Sequence, residues 1–218
     1  MLLKVLALSD IHRNQDAVRA VTKKIAEEHV DAIFVAGDIS HGNINEAIHI
    51  LKILKGHHKP VFFVPGNMDS PELMNWNHGN IRNLHCKCES FNNYSLIGVG
   101  GSVYTPFNTH LEFAENEIAK TFRQSFSECS EKKKLILISH CPPKDTELDR
   151  TITGIHAGSK AVRQFIESEK PLLVITGHIH EARGIDKIGE TMIVNPGPAN
   201  LGRYGIIELN EKIHVELK

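Results

Sequence analysis

Five short clusters of polar residues punctuate this 218-residue chain, and each follows an apolar run that is typical of a buried β-strand. The clusters combine Asp, Asn and His, and several carry a Gly or Pro where the chain must turn. Because strands of one sheet can end at a common edge, this pattern predicts that side chains distant in sequence meet there. In chain order the clusters are Asp10-Ile11-His12, Gly37-Asp38, Gly66-Asn67-Met68-Asp69, His140 and Gly177-His178-Ile179-His180.

The residue types in these clusters indicate a metal site. Carboxylate, imidazole and amide groups together suit divalent transition metals, whereas thiolates are the usual ligands of a structural zinc. A lone histidine is more often a surface residue, but His12, His140, His178 and His180 all stand at strand exits. Taken singly, each cluster would be an ordinary turn. Their joint occurrence predicts a metal site.

Composition places the chain among globular proteins, with 41% hydrophobic and 23% charged residues. A formal net charge of −1 provides no general attraction to nucleic acid or to an anionic membrane. No segment approaches the ~20 apolar residues that span a bilayer, and the first strand leads directly into Asp10, so we expect neither a membrane span nor a signal peptide.

Four cysteines, Cys86, Cys88, Cys129 and Cys141, are too few for a disulfide framework in a chain of this length. We therefore expect reduced thiols and a cytoplasmic protein.

Strands and helices alternate over the first two thirds of the chain, and hairpin patterns follow. Asn14 is a predicted N-cap, and Val18, Val21 and Ile25 would form the buried face of the helix that it starts. The alternation and the hairpins together predict two packed sheets covered by helices, in one domain over residues 1–218. The predicted strands are Leu3–Leu8, Ala32–Ala36, Val61–Val64, Tyr94–Val99, Leu135–Ser139, Leu172–Thr176, Ile185–Ile188, Thr191–Val194, Tyr204–Leu209 and Ile213–Leu217.

Two further local patterns carry predictions. Thr109 and Glu112 have the spacing of a capping box, which predicts a helix that begins there. Asn195-Pro196-Gly197-Pro198 is expected to form a tight turn behind the edge that holds the clusters.

With its clusters in this order, the chain resembles the calcineurin-like metallophosphoesterases, and among them the small prokaryotic-type phosphoesterases. The family pattern is D-x-H, G-D, G-N-[HC]-[DE], a single His after a strand, and G-H-x-H, and the resemblance covers nearly the whole chain. It implies an α/β (α+β) fold: a four-layer αββα sandwich of two mixed β-sheets flanked by helices, with a dinuclear metal site at one edge.

The resemblance also implies a ligand set and a reaction. One metal would be bound by Asp10, His12 and His180, the other by Asn67, His140 and His178, and Asp38 would bridge both. The reaction would be hydrolysis of a small phosphate ester by attack of a metal-bridging hydroxide on phosphorus, with Asp38, Asn67 and His140 in the catalytic set. The cofactors would be two divalent ions drawn from Mn, Fe, Zn, Ni and Co, with Mn favoured.

Met68 departs from the family pattern, which usually has histidine at this position. A thioether has no proton to donate to a leaving group. A positioned general acid typically contributes ~10²–10⁴-fold in rate, so its absence should affect poor leaving groups most. Relatives with Cys at this position resemble phosphodiesterases, which favours phosphodiesters over phosphomonoesters as substrates.

Three residues outside the clusters are further candidates. His156 is a candidate replacement acid and phosphate ligand, although a solvated histidine in a capped loop is the more ordinary interpretation. His41 is a second candidate acid. Arg183 could reach a substrate phosphate, with pairing to Glu181 or solvent as the simpler alternative.

The leading hypothesis is thus a metal-dependent phosphoesterase that acts on phosphodiesters. The alternative is a non-catalytic protein-interaction module that keeps the metallophosphoesterase fold, and Met68 lends it some weight. A nuclease of the same family is a third option, but the near-neutral charge and the lack of a basic tail count against it. The sequence makes no prediction of the physiological substrate or the oligomeric state.

Overall fold

The computed structural model describes residues 2–129 and 134–218. It leaves the side chains at positions 25 and 26 undescribed, so the expected burial of Ile25 lies outside the described residues. The helices are α1 (Gln15–Glu28), α2 (Ile44–Lys55), α3 (Glu115–Ser127) and α4 (Lys160–Glu169). The strands are β1 (Leu3–Leu8), β2 (Ala32–Ala36), β3 (Val61–Val64), β4 (Ile81–Asn83), β5 (Cys88–Phe91), β6 (Tyr94–Val99), β7 (Ser102–Val103), β8 (Glu112–Phe113), β9 (Lys134–Ser139), β10 (Leu173–Ile175), β11 (Gly184–Ile188), β12 (Thr191–Asn195), β13 (Gly205–Leu209) and β14 (Ile213–Leu217).

Two six-stranded mixed sheets form the centre of the protein. The first has the order β14-β13-β1-β2-β3-β4, in which β1 to β4 run parallel and the final hairpin adds antiparallel to β1. The second has the order β11-β12-β10-β9-β6-β5, with parallel strands in the middle and an antiparallel strand at each edge. Every strand that the sequence predicted is present, with ends that differ by at most one residue.

Three apolar layers hold the sheets and helices together. On β1, Val5 and Ala7 pack between the two sheets, whereas Leu6 and Leu8 pack on the opposite face with α1 and α2. The helices α3 and α4 cover the outer face of the second sheet. Because central strands are covered on both faces, their sequences are continuous apolar runs without alternation. The four-layer αββα sandwich is thereby confirmed.

The loop before α3 differs from the prediction. Thr109 and Glu112 do bond to each other, with the Thr109 N–H and hydroxyl both donating to Glu112 Oε1 at 2.8 and 2.6 Å, but no helix begins there. Instead α3 begins at Glu115, after the N-cap Ala114. Glu112 also accepts two hydrogen bonds from Thr105, so its carboxylate closes a loop and is not free to start a helix. The predicted N-cap Asn14 is confirmed, since its side chain accepts from the Ala17 N–H at 3.0 Å.

The expectation of four reduced cysteines is wrong. A disulfide bond joins Cys88 on β5 to Cys129 just after α3, and the free thiols are Cys86 and Cys141. The two bonded residues are 41 positions apart and match no short motif, so only the packing of α3 on the second sheet brings them together. The thiol argument for a cytoplasmic location is thereby removed, and that location stays a prediction. Within the described part of the chain, no helix combines the length and apolarity needed to cross a membrane.

Removal of this disulfide is expected to destabilise the protein. For a closed loop of about this length, the entropy restored to the unfolded chain corresponds to ~2–4 kcal/mol. The Cys88→Ser, Cys129→Ser double variant should therefore show a lower free energy of unfolding by about that amount in chemical denaturation. Cys86→Ser, which leaves the bond intact, is the control. Four titratable thiols in the denatured, unreduced wild-type protein would contradict the assignment.

Candidate metal centre

The carboxyl ends of the central parallel strands meet at one edge of the sandwich. Asp10, Asp38 and Asn67 follow β1, β2 and β3 in the first sheet, and His140 and His178 follow β9 and β10 in the second. All except half-buried His178 are buried. The convergence predicted from the strand exits is therefore present, and it joins side chains from both sheets.

Left-handed backbone conformations are concentrated at these strand exits. Asp10, His12, Asp38 and His178 have φ angles of 54°, 45°, 52° and 70°. This region is sparsely populated by residues other than glycine and costs of order 1–3 kcal/mol at each strained position. Four such residues around one point indicate that the fold directs these side chains inward at some cost in stability.

Asp10, His12 and His180 form the first group of candidate ligands. Their ligand atoms, one from each side chain, lie within 4.8 Å of one another. The Nε2 atoms of His12 and His180 are 3.0 Å apart, and His180 Nε2 lies 3.4 Å from Asp10 Oδ1. Burial opposes ionisation of Asp10, but the hydrogen bond from His180 and the nearby His140 lower its pKa to about 2. Asp10 is therefore ionised at neutral pH and can act as an anionic metal ligand.

Asp38, Asn67 and His140 form the second group. The His140 Nδ1–H donates to the Ala36 carbonyl oxygen at 2.7 Å, and burial lowers the pKa of His140, so the ring is neutral and Nε2 carries a lone pair. Nε2 faces Asn67 Oδ1 at 2.8 Å and Asp38 Oδ1 at 3.5 Å. The Asn67 amide nitrogen donates to Thr109 Oγ1, which fixes the orientation of the amide. Three acceptor atoms thus face one another, and none of the three can donate a hydrogen bond to another.

Asp38 connects the two groups. Its Oδ2 lies 3.8 Å from His12 Nε2, while its Oδ1 faces His140 and accepts from the Met68 N–H at 2.9 Å. Burial and the neighbouring charge of Asp10 raise the pKa of Asp38 well above its ordinary value. Among the described residues, neither Asp10 nor Asp38 is paired with a lysine or arginine. Such buried, opposed acceptors fit divalent cations and would be unfavourable without them.

His178 completes the seven expected ligands but lies slightly apart. Its ring contacts that of His140 edge to face, with centroids 5.1 Å apart, and its backbone N–H donates to the Asp10 carboxylate at 3.2 Å. Burial, together with the neighbouring His140, lowers the pKa of His178 to about 3. A neutral imidazole is the form that binds a metal.

Two glycines permit this close approach of strand ends. A side chain at Gly66 would overlap the backbone nitrogen and carboxylate of Asp38, and one at Gly177 would overlap the Ser9 hydroxyl. These positions therefore accept only glycine, which explains why a glycine accompanies the ligand residues in the sequence.

The sequence matches the family described as calcineurin-like phosphoesterase over residues 3–182, a range that contains all seven candidate ligands. The chain belongs to the calcineurin-like phosphoesterase family. An uncharacterized protein of Methanocaldococcus jannaschii is 36% identical to this chain over 211 residues, which cover 93% of this chain and 91% of that protein.

Solved structures show the same fold. A crystal structure from Thermus thermophilus is 22% identical, covers 99% of both chains and superimposes with a TM-score of 0.78. A dimetal phosphatase from Danio rerio is 12% identical, covers 99% of this chain and 95% of that chain, and gives a TM-score of 0.67. At these identities the likeness establishes the fold alone. Members of this family typically bind divalent metals, and this chain provides candidate ligand groups for them.

Met68 and Asp69 contribute to the candidate metal centre in different ways. Asp69 is buried and accepts from the backbone N–H groups of Ile39, Ser40 and Gly66 at 3.0, 2.6 and 2.8 Å. Burial raises the pKa of Asp69 to about 6, against the opposing effect of these hydrogen bonds. It therefore stabilises the turn that positions its neighbours. Met68 contributes its backbone N–H to Asp38 but no acidic side-chain group.

Thr109 and Glu112 orient Asn67, and sequence reasoning missed this role. Thr109 Oγ1 accepts from Asn67 Nδ2 at 2.9 Å and donates to Glu112 Oε1 at 2.6 Å. Burial opposes ionisation of Glu112, but hydrogen bonds from Thr105 and Thr109 lower its pKa to about 2. The resulting carboxylate fixes the direction of the Thr109 hydroxyl, and hence of the Asn67 amide. The Thr-x-x-Glu spacing was the available signal, although it was interpreted as the start of a helix.

Thr109→Val is expected to weaken metal binding by about 10–100-fold, the usual cost of losing a group that orients a ligand. The Asn67 amide would lose the contact that turns Oδ1 toward His140. Thr105→Val is a matched control, because it removes an equal 2.6 Å bond to Glu112 but no contact with Asn67. Calorimetric titration of each variant with Mn²⁺ makes the comparison. Equal losses in both variants would contradict this role for Thr109.

The remaining candidates differ in their placement. His156 lines a cleft beside His178, and its Nδ1 lies 2.7 Å from the buried Asp149 Oδ1. His41 Nε2 lies 2.8 Å from His12 Nδ1, so it is a direct neighbour of the first ligand group.

Arg183 is directed elsewhere. Its guanidinium donates to the carbonyl oxygens of Pro196 and Lys218, which ties the C-terminus to the turn at residues 195–198. The structure therefore provides no support for the predicted contact between Arg183 and substrate. Within the turn, Asn195 donates to the Ile179 carbonyl oxygen at 2.9 Å, which places the turn behind the His178 loop as expected.

Proposed function

We propose that this calcineurin-like phosphoesterase hydrolyses phosphodiesters with two divalent metal ions as cofactors, Mn favoured over Fe, Zn, Ni and Co. The observation that supports this most is the buried contact between Asn67 Oδ1 and His140 Nε2, beside a carboxylate oxygen of Asp38. Each of these atoms is an acceptor, so none can satisfy another. A cation among them would satisfy all three.

Each candidate ligand has a place in this proposal. Asp10, His12 and His180 would hold one ion, Asn67, His140 and His178 would hold the other, and Asp38 lies between the two groups. When bound there, such cations supply Lewis acidity, which lowers the pKa of water and offsets negative charge on a phosphoryl group. The chain itself contributes a low-dielectric surrounding, because Asp10, Asp38 and His140 are buried, and electrostatic interactions are stronger there than in water.

Met68 supports the preference for diesters. Half-buried beside Asp38, it presents a thioether where the family usually has an acid. A phosphomonoester dianion carries one more charge than a diester, and Met68 adds no positive charge to balance it. The diester monoanion is thus the less demanding substrate for this site.

His156 is the group that we propose as proton donor to the leaving oxygen. Asp149 is fully buried and accepts from the Thr146 and Gly158 N–H groups at 2.9 and 3.0 Å, which hold it as a fixed carboxylate. That carboxylate orients His156 through Nδ1, and Nε2 has no hydrogen-bond partner among the described residues. A histidine oriented by a buried carboxylate and lining the cleft beside His178 is suited to donate a proton to the leaving group. It also remains available to contact a substrate phosphate.

The alternative is a non-catalytic interaction module on the same fold. Met68 is the observation that favours it, because the family's usual acid is missing. The two hypotheses differ in what they require of bound metal: an enzyme needs it for turnover, and a binding module does not.

The proposal is tested with metal-stripped protein to which Mn²⁺, Ni²⁺, Zn²⁺ or Mg²⁺ is added back. We expect metal-restored hydrolysis of bis(p-nitrophenyl) phosphate at a higher rate than of p-nitrophenyl phosphate. Faster hydrolysis of the monoester would overturn the diester preference. No turnover with any metal, despite two bound ions per chain, would favour the interaction module.

A further inference from the structure

A cleft of about 690 Å³ opens beside the candidate metal centre. One wall is the loop after β7, which carries Tyr104 and Phe107, and the other is the long loop before α4, which carries Ile152 and Ile155. His178 also lines this cleft. The cleft is therefore continuous with the residues proposed to hold metal.

The rims of this cleft expose large apolar side chains to solvent. Tyr104, Phe107, Ile152 and Ile155 are 70%, 80%, 89% and 65% exposed. Exposed apolar residues on a monomeric protein are normally scattered singly, and a contiguous group marks a binding surface. Two aromatic and two aliphatic side chains are therefore exposed on one concavity, which also reaches His178 of the candidate metal centre.

Hydrogen bonds hold both walls in place. The Phe107 N–H donates to Thr105 Oγ1 at 3.1 Å, within the loop that Glu112 closes. The Ile152 N–H donates to Glu181 Oε1 at 2.7 Å on the opposite wall. The apolar side chains thus project from anchored backbone, which reduces the entropy lost when a ligand binds.

The polar groups of the cleft leave room for an anionic ligand. Its two carboxylates are occupied by backbone donors, since Glu181 accepts from Ile152 and Glu115 accepts from the Lys160 and Ala161 N–H groups. Lys144 and Lys160 also line the cleft, and the Lys144 ammonium donates to the His156 carbonyl oxygen at 2.8 Å. A concavity of this volume with apolar walls and few polar groups is typical of a small-molecule site. A stable protein–protein interface instead buries ~800 Å² of accessible surface on each partner.

We propose that this cleft binds a planar aromatic ester group of the phosphodiester substrate, in contact with Tyr104 and Phe107 of one loop and Ile152 and Ile155 of the other. The inference rests on the proposed function, because the phosphate would then lie at the metal centre. A flat ring can present one face to each wall, and aromatic contacts favour it over an alkyl group of equal size.

Inhibitors with a single varied group test this. Phenyl(methyl)phosphinate, cyclohexyl(methyl)phosphinate and dimethylphosphinate are monoanions that differ in one group only, and their P–C bonds are not hydrolysed. For competitive inhibition of bis(p-nitrophenyl) phosphate hydrolysis, we expect an inhibition constant for the phenyl compound about fivefold or more below that for the dimethyl compound, from the contacts of one ring. The cyclohexyl compound should fall between them. Equal inhibition constants for the phenyl and cyclohexyl compounds would overturn the preference for a planar group.

Variants of the cleft provide the second comparison. In Phe107→Ala and Ile152→Ala, the ratio of the inhibition constants of phenyl(methyl)phosphinate and dimethylphosphinate should move toward one. Ile185→Ala is the matched control, because Ile185 is also an exposed isoleucine, 45% accessible, and lies on β11 outside the cleft. A ratio that changes equally in Ile152→Ala and Ile185→Ala would overturn the assignment of this cleft.

Calorimetric binding separates this inference from the proposed function. Metal-loaded protein is titrated with phenyl(methyl)phosphinate and with dimethylphosphinate, whose P–C bonds cannot be hydrolysed during the titration. Tighter binding of the phenyl compound that is lost in Phe107→Ala supports the cleft even if no ester is hydrolysed. Equal binding of both anions, with hydrolysis intact, refutes the cleft and leaves the proposed function standing. Tight binding of an apolar peptide with no preference between the anions would indicate a protein partner and refute the inference.

Discussion

Asp38→Asn is expected to lower metal-dependent hydrolysis of bis(p-nitrophenyl) phosphate by at least about a hundredfold, since one carboxylate that contacts both ligand groups is lost. Asparagine has nearly the same shape, and its side-chain oxygen can still accept from the Met68 N–H. The fold should therefore persist. Initial rates measure hydrolysis, elemental analysis measures the bound metal, and thermal unfolding shows whether the variant is folded.

The control for this variant is Asp16→Asn, which makes the same chemical change at an exposed position in the first turn of α1. It should leave both rate and metal content unchanged. Undiminished turnover in folded Asp38→Asn protein would refute the dinuclear assignment. Loss of turnover together with loss of the folded state would make Asp38 a structural residue.

His156→Asn is expected to reduce kcat by about 10²–10⁴-fold on a substrate with a poor leaving group, the usual contribution of a positioned acid. Ethyl phenyl phosphate and ethyl p-nitrophenyl phosphate differ only in the leaving group. Because p-nitrophenolate leaves without protonation, the second substrate should be affected far less. Steady-state kinetics on this pair measures the difference.

Two comparisons show whether His156 acts as an acid or only supports its loop. Asparagine at position 156 can still donate to the Asp149 carboxylate, so the local hydrogen bond is retained. Adding Met68→His to His156→Asn should restore part of the rate on the phenyl ester, because histidine is the family's usual residue there. Equal losses on both esters, without rescue, would contradict a role in proton donation.

Much of the architecture follows from local sequence. The strands Leu3–Leu8, Ala32–Ala36 and Val61–Val64 are recognisable because burial on both faces demands uninterrupted apolar residues. Their ends are recognisable because glycine is needed where strand ends crowd together, as at Gly66. The candidate ligands could be identified for the same reason, since each follows such an end.

Contacts between distant loops could not be predicted in this way. Cys88 and Cys129 meet only because α3 packs on the second sheet, and no spacing rule encodes that packing. The hydrogen bond from Asn67 to Thr109 spans 42 positions, and the Thr-x-x-Glu pattern is compatible with both a helix start and a closed loop. The carboxylate of Glu112 decides between them by accepting from Thr105 as well.

The placement of His156 illustrates the same limit. Sequence alone made a solvated histidine the more ordinary interpretation. Its orientation by Asp149 depends on a loop in which that carboxylate is fully buried and held by backbone N–H groups. Such a buried acceptor becomes visible only when the path of the loop is known.

The most direct test of the dinuclear centre is anomalous diffraction from crystals grown with Mn²⁺, recorded at the manganese absorption edge. The account predicts two peaks, one among Asp10, His12 and His180 and one among Asn67, His140 and His178, with Asp38 in contact with both. A single peak, or peaks away from these residues, would contradict it.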